Sequence, residues 1–360
     1  MKRKRTREVP LGSLIVGGEH PIWVEAMGRT HPGEWRRCLE EMEKAVSSGC
    51  EIFRVAVFDE KAVEGLKIIK SQKREIPLVA DIHFDLSFAF SAIEAGVDAV
   101  RINPGTAKNK NVVKSLINLA RERNVVLRLG ANTGSLPSYL RGEERSNALF
   151  ESVGEYVELA RAQGMENLIL SAKSTEVEET IEVYRRLSET FSYPLHIGLT
   201  EAGEGIQGIV KSAVAIGILL FEGIGDTLRV SLTSRSPVLE TEIAWKILES
   251  LGIRSKDITL ISCPTCARRR GDVVSFVQRF RQKMAGLKVR EGVAIKVAIM
   301  GCEVNGPGEA KEADFGLALS KNGKAVLFAR GSVLEVVPQE EGVEKLLTMV
   351  KEALSEEERE

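Results

Sequence analysis

Three of the chain's five cysteines fall in two short stretches, Cys263-Pro-Thr-Cys266 and Met300-Gly-Cys302-Glu-Val-Asn-Gly-Pro-Gly-Glu309. A C-x-x-C turn sets two thiolates on one ion or cluster, and a distant cysteine on a Gly/Pro-rich loop adds a third. A structural zinc site asks for a fourth sulfur or nitrogen, yet no cysteine follows Cys302 and the last histidine is His196. Three thiolates with an open corner, or with a weak oxygen ligand such as Glu309, suit a four-iron four-sulfur (4Fe-4S) cluster whose fourth iron meets a substrate. The bland alternative is small buried core cysteines. Against it, Cys302 sits in a Gly-rich loop and not on an apolar periodic face.

A second constellation is charged. Arg54, Asp81, His83, Arg101, Asn103, Arg128, Asn132, Ser171, Lys173, Thr200, Glu201, Arg229 and Ser231 stand at or just past the ends of short β-branched runs. One charge at a strand end is ordinarily a solvated rim, but the pattern recurs on seven consecutive runs. Four arginines and a lysine converging on one mouth specify a multiply charged anion, because guanidinium forks match phosphate oxygens and a cleft focuses the positive field. A diphosphate is the expected guest, with Gly105 and Gly130 leaving room for backbone N–H groups to approach its oxygens.

Such residues need a scaffold that gathers many strand ends. From about residue 22 to 250 a strand-like run followed by an amphipathic stretch repeats eight times, with strands expected at 22–26, 52–57, 78–83, 99–103, 125–130, 167–171, 195–200 and 227–232. In the first helix Trp35, Leu39, Met42 and Val46 share a face, with Cys38 near it. Eight βα units describe an α/β TIM (β/α)8 barrel, whose chemistry sits at the carboxyl ends of its strands. An open doubly wound sheet is the runner-up, but no G-x-G-x-x-G follows the first strand. The alternation ends near 251–257, and a smaller α+β domain follows, giving domains 1–254 and 255–360. Its elements are expected at 258–262 (strand), about 272–287 (helix), 293–299 (strand), near 315–320 and 325–329 (strands) and about 340–354 (helix).

Composition narrows the partners. Fifty basic and 51 acidic residues give a formal charge of −1, so nothing draws the chain to nucleic acid in bulk. The basic run Lys2-Arg-Lys-Arg5 reads as a solvated tail, no apolar core behind it makes a signal peptide, and no apolar run reaches membrane-spanning length. A cytoplasmic location and reduced thiols are expected. Cys50 reads as core, and His196, near the start of its strand, as part of the barrel's structural face.

The motifs together resemble one family, the 4-hydroxy-3-methylbut-2-enyl diphosphate synthases of the non-mevalonate isoprenoid pathway. The resemblance rests on Ser-Cys263-Pro-Thr-Cys266, Gly-Cys302-Glu-Val-Asn-Gly-Pro-Gly-Glu309-Ala, Val-Ala-Asp81-Ile-His83-Phe, Arg101-Ile-Asn103-Pro-Gly, Thr200-Glu201-Ala-Gly and Gly223-Ile-Gly-Asp226-Thr-Leu-Arg229-Val-Ser231-Leu, spread over nearly the whole chain. It implies reductive dehydroxylation and ring opening of 2-C-methyl-D-erythritol 2,4-cyclodiphosphate, with Cys263, Cys266, Cys302 and Glu309 holding a 4Fe-4S cluster. It also implies Arg54, Arg101 and Arg128 as a diphosphate clamp, with Asp81, His83, Asn103, Asn132, Lys173 and Glu201 lining the pocket. Of these, Glu309, Glu201, Asp81 and His83 are the candidates for catalytic work. Flavodoxin or ferredoxin would supply electrons, and a homodimer would place the cluster domain of one chain over its partner's barrel.

The chain departs from the family pattern in its first strand, where Val24-Glu-Ala-Met-Gly28 stands in place of Val-Gln-Ser-Met-Thr, and at Thr106, where Asn is usual. Arg268–Arg270 read as a solvated helix start or as a docking patch for an acidic electron donor. Two other classes remain in view, a zinc-stabilised barrel transferase of the pterin type and a non-enzymatic iron–sulfur sensor. The sensor would not need the polar strand ends. A radical S-adenosylmethionine enzyme is excluded by the absence of C-x-x-x-C-x-x-C.

Overall fold

The computed structural model describes residues 3–140, 142–256, 258–284, 295–302 and 310–357. Contacts divide the chain into two compact units, Met1–Leu251 and Gly252–Glu360.

The first unit opens with an antiparallel hairpin, β1 (Val9–Leu11) and β2 (Leu14–Val16). Eight parallel strands follow: β3 (Trp23–Met27), β4 (Ile52–Ala56), β5 (Leu78–Ile82), β6 (Ala99–Ile102), β7 (Val126–Asn132), β8 (Leu168–Lys173), β9 (His196–Ile197) and β10 (Thr227–Leu228). They pair in the order β8-β7-β6-β5-β4-β3-β10-β9. A bridge between Leu170 and Leu195 and the bond from Leu170 N–H to Pro194 C=O join the two ends, so the sheet is a nearly closed TIM barrel. Between and after the strands run α1 (Trp35–Ser47), α2 (Glu60–Gln72), α3 (Ser87–Glu94), α4 (Lys110–Glu122), α5 (Arg145–Ala162), α6 (Val177–Thr190), α7 (Gly205–Phe221) and α8 (Pro237–Ser250).

Local chemistry sets the helix starts. The Asp59 carboxylate accepts from Ala62 N–H ahead of α2, Asn109 caps α4, and Ser236 caps α8 with Pro237 in its first turn. The buried stripe of α1 is Cys38, Leu39, Met42 and Ala45, one step round from the expected face, leaving Trp35 and Val46 half-buried.

The hairpin was not foreseen, and it closes the amino-terminal end of the barrel. Val9, Leu11 and Val16 form one apolar cluster with Ile52, Val79, Ala99, Val126 and Ile169. The residues before it are tied down as well, correcting the reading of a solvated tail. The Arg3 guanidinium donates to the carbonyls of Gly18 and His20 at 2.6 Å each and lies 3.7 Å from the Asp226 carboxylate.

The second unit is a five-stranded mixed sheet in sequence order, β11 (Thr259–Ser262), β12 (Lys296–Met300), β13 (Phe315–Leu319), β14 (Lys324–Ala329) and β15 (Ser332–Pro338). The first three run parallel and the last two pairings are antiparallel. Helices α9 (Val273–Met284) and α10 (Gln339–Glu357) belong to the same unit, and side chains of both, from Phe276 to Leu346, pack on Val297, Ile299, Leu317 and Leu327. Strand β15 was not expected from sequence. It is an edge strand exposed at all but one position, so it lacks the alternation that marks a half-buried strand.

Candidate active site

Inside the barrel two layers stack on the same strands. Ile52, Val79, Ala99, Val126 and Ile169 face the hairpin, and two residues further along the same strands come Arg54, Asp81, Arg101, Arg128 and Ser171. A strand's side chains repeat every second residue on one face, so both sets point inward and only the chemistry changes.

The upper layer is an ion-pair network. Asp81 takes Arg54 Nη2 at 2.8 Å on one oxygen and Arg101 Nη1 at 3.1 Å on the other, with His83 Nε2 3.6 Å away. Glu25, only 1% exposed, accepts from Arg128 Nη1 at 2.8 Å and lies 3.6 Å from both Arg54 Nη1 and His196 Nε2. Arg101 also reaches His83 Nε2 at 2.7 Å and donates to Gly130 C=O at 2.7 Å. Lys173 Nζ meets His196 Nε2 at 3.0 Å, and His196 Nδ1 meets Thr227 Oγ1 at 2.8 Å. His196 therefore belongs to the charged layer, which corrects its expected structural role. It is the first residue of a short, late-starting β9, level with Thr227.

Among these groups five cations, Arg54, Arg101, Arg128, Lys173 and Arg229, face three buried carboxylates, Glu25, Asp81 and, beside Arg229, Glu240. Burial alone would raise the carboxyls of Glu25 and Asp81, but Arg128 and Arg54 hold Glu25 below its ordinary value, and Arg54 and Arg101 hold Asp81 well below it. The cations carry the strain of the excess. Burial, then Arg229 and Arg54, push Lys173 well below the usual lysine range. Burial lowers Arg101 to about 10 against the opposing pull of Asp81, and burial and Arg54 lower Arg229. Burial and the neighbouring Lys173 also push His196 well below the usual histidine range. The buried Nε atoms of Arg54, Arg128 and Arg229 find no hydrogen-bond partner among the described residues.

At the mouth, Asn103 is fully buried and shapes a loop. Its amide donates to Ser135 Oγ and accepts from Gly105 N–H at 2.9 Å. Gly105 is required because a Cβ there would meet Ser135 O at 1.4 Å, and its N–H is already used. At Gly130 a Cβ would meet Arg101 Nε at 2.6 Å. Both glycines thus make room for protein groups, not for the ligand contacts expected of them. Asn132 is half-buried, His83 is 37% exposed by side chain, and Glu201 is exposed with a left-handed φ of 50°. Such a backbone costs about 1 kcal/mol in a residue with a Cβ. Phe84, next to His83, shares that conformation and is 82% exposed, an aromatic at the rim that sequence reasoning passed over.

The cysteines gather at the carboxyl ends of two adjacent parallel strands. Cys263 follows β11 and Cys302 follows β12, with Ser262 paired to Ile299. Pro264 and Thr265, the latter at φ 52°, turn the chain to Cys266. The two loops are stitched together. Arg270 N–H donates to Gly301 C=O at 2.7 Å, and Gly301 N–H donates to Cys263 Sγ at 3.2 Å, where a Cβ would meet that sulfur at 3.1 Å. Cys266 is exposed, Cys263 half-buried and Cys302 buried, and none is in a disulfide. Glu309 lies outside the described residues. Among the described residues no three His, Cys, Asp or Glu side chains converge tightly enough for a single metal ion. Cysteine thiolates are the usual ligands of iron–sulfur clusters. Thiols at two neighbouring strand ends, one already receiving a backbone N–H, are a donor set of that chemistry.

A barrel with a cationic inner mouth, carried in one chain with such a thiol cradle, defines a TIM-barrel enzyme with an appended iron–sulfur domain. The chain belongs to the GcpE family: residues 6–245 match the model of the GcpE TIM-barrel domain and residues 259–352 that of the GcpE protein C-terminal domain. It is 43% identical to the 4-hydroxy-3-methylbut-2-en-1-yl diphosphate synthase (flavodoxin) of Nitratidesulfovibrio vulgaris, covering 94% of this chain and 86% of that one. The synthase of the same name from Clostridium perfringens is 41% identical over 98% of this chain and 99% of its own. Among solved structures, dihydropteroate synthase from Stenotrophomonas maltophilia superposes with a TM-score of 0.50 at 12% identity, over 68% of this chain and 99% of that one. That likeness shows the barrel fold alone.

Proposed function

We propose that the barrel mouth holds the diphosphate of 2-C-methyl-D-erythritol 2,4-cyclodiphosphate while the ring is opened and reductively dehydroxylated to 4-hydroxy-3-methylbut-2-enyl diphosphate. The reaction is that of the synthases the chain matches, and the electron donor is a flavodoxin. The observation that carries the site assignment is the excess of buried cations over carboxylates, with guanidinium Nε atoms left unpartnered among the described residues. An anion with several oxygens relieves both at once.

Arg54, Arg101 and Lys173 are the clamp, Arg128 supports it from below, and Asn103 and Asn132 shape the rim. Burial, Arg229 and Arg54 loosen the hold of Lys173 on its proton, and an arriving anion tightens it, since a nearby negative charge favours the ammonium form. Asp81 orients Arg54 and Arg101 so that their forks do not reorganise on binding. His83, joined to both Asp81 and Arg101, and Glu201 are the groups at the rim placed to exchange protons with the departing oxygen.

Cys263, Cys266 and Cys302, with Glu309 as the fourth ligand, hold the cofactor. When bound, the 4Fe-4S cluster supplies electrons one at a time and Lewis-acid assistance to carbon–oxygen cleavage. The chain's own contribution there is the Gly301 N–H to Cys263, which steadies the sulfur's charge.

A homodimer is the proposed assembly. Ile206, Val210, Val214, Ile218 and Phe221 form an exposed apolar stripe along α7, the kind of face that a second chain covers. No described helix is long and apolar enough to cross a membrane, and the proposed location is the cytoplasm.

Anaerobic reconstitution with iron and sulfide tests the whole reading. The expected product is a brown protein with about four iron atoms per chain that consumes the cyclodiphosphate when given reduced flavodoxin. A reconstituted protein that binds iron but leaves the cyclodiphosphate untouched counts against it.

A further inference from the structure

One buried carboxylate of the charged layer, Glu25, belongs neither to the clamp nor to the rim. Glu25 lies on β3 beneath the mouth, 1% exposed, with four cationic or basic side chains around it: Arg128, Arg54, Lys173 and His196. It meets Arg128 at two points. One oxygen accepts from Arg128 Nη1 at 2.8 Å, and the other lies 2.5 Å from Arg128 Nη2 in the same ion pair, off the line of a hydrogen bond. A buried pair of this kind is seldom a source of stability, since apolar residues of similar size serve as well or better. Its effect is on the field. Arg54, whose guanidinium bridges Glu25 and Asp81, belongs to the clamp, so the charge on Glu25 is felt at the anion's position through a shared, water-poor interior.

We propose that Glu25 is a built-in counter-ion of the anion pocket, a positioning residue that holds Arg128 and draws on Arg54. It thereby limits how tightly the mouth grips a phosphate group. The pocket is then matched to release as well as to capture, because product and substrate both carry a diphosphate. This inference rests on the anion-binding reading above.

Inorganic pyrophosphate is the probe, titrated calorimetrically at low ionic strength into the reconstituted full chain and its Glu25→Gln variant. The variant keeps the side chain's shape and one acceptor but loses the charge. Expected is a gain in affinity of about tenfold or more for Glu25→Gln, with Glu25→Asp staying nearer the wild type than Glu25→Gln does. Equal or weaker binding by a folded Glu25→Gln protein overturns the assignment while leaving the anion site standing. No saturable binding by either protein overturns the anion site itself, and the assignment with it. Should Glu25→Gln fold poorly, melting with and without saturating pyrophosphate decides. An external anion that replaces the missing charge raises its melting temperature more than it raises the wild type's. A variant that stays unfolded even in pyrophosphate shows that Glu25 is structural and ends the proposal.

Discussion

The two inner layers of the barrel share five strands and differ in almost everything else. Below, Ile52, Val79, Ala99, Val126 and Ile169 pack on Val9, Leu11 and Val16 of the hairpin, dry and apolar. Two residues above, Arg54, Asp81, Arg101 and Arg128 are nearly as deeply buried but charged. The lower layer stabilises the fold through apolar burial. The upper layer keeps its charges buried at a cost that only geometry and a guest can offset. Stability and function are thus separated by one step of the β repeat, about 7 Å along each strand.

Breaking that contrast should have graded effects. The largest is expected from Asp81→Ala, which leaves Arg54 and Arg101 buried without their shared partner and should cost about 3–5 kcal/mol, read by urea denaturation. Acid should do the same gradually. The folded-state values of Asp81 and Glu25 are depressed, so their stabilisation is fully present above the unfolded carboxyl range near pH 4 and is lost as pH falls below it. An Asp81→Asn chain should show a flatter acid limb. Next is Ile169→Ala in the lower layer, with an expected loss of about 2–4 kcal/mol and an unchanged affinity for pyrophosphate once folded. If that affinity falls with stability, the layers are not separable.

The smallest effect on stability, opposite in sign, is expected from Lys173→Met. Removing an ammonium buried beside Arg229 and Arg54 should stabilise the anion-free protein by about 1–2 kcal/mol while weakening anion binding. The sign follows from linkage. Lys173 binds its proton more readily in the unfolded chain, so its presence makes the folded state gain stability as pH rises toward the ordinary lysine value. The variant should lose that alkaline gain, which thermal melts between pH 7 and 10 would record.

Much of the upper layer was open to sequence reasoning because strand ends in a barrel converge by topology. Asp81 and Arg101, or Arg101 and Arg128, meet as neighbours in register. The cysteines were legible for the same reason, as residues just past two strands that turn out to be parallel neighbours. What escaped was depth. Glu25 stands mid-strand, and as a lone charge in a β-branched run it gave no sign that it faces Arg128 across the barrel. His196 was placed at the wrong level because β9 spans only two residues, so its first residue already lies beside Lys173. Gly105 and Gly130 are glycines for Ser135 and Arg101, contacts that no spacing rule reveals. The hairpin was hidden by strands of three residues each, too short to show a period.

The most direct test is equilibrium binding of 2-C-methyl-D-erythritol 2,4-cyclodiphosphate to the reconstituted protein and to its Arg54→Met variant, which loses the guanidinium that spans Glu25 and Asp81. Saturable binding by the wild type, weakened about 30-fold or more in the folded variant, is the expected result for a lost charged contact. Binding of equal strength to both proteins would contradict the placement of the substrate's diphosphate in the charged layer.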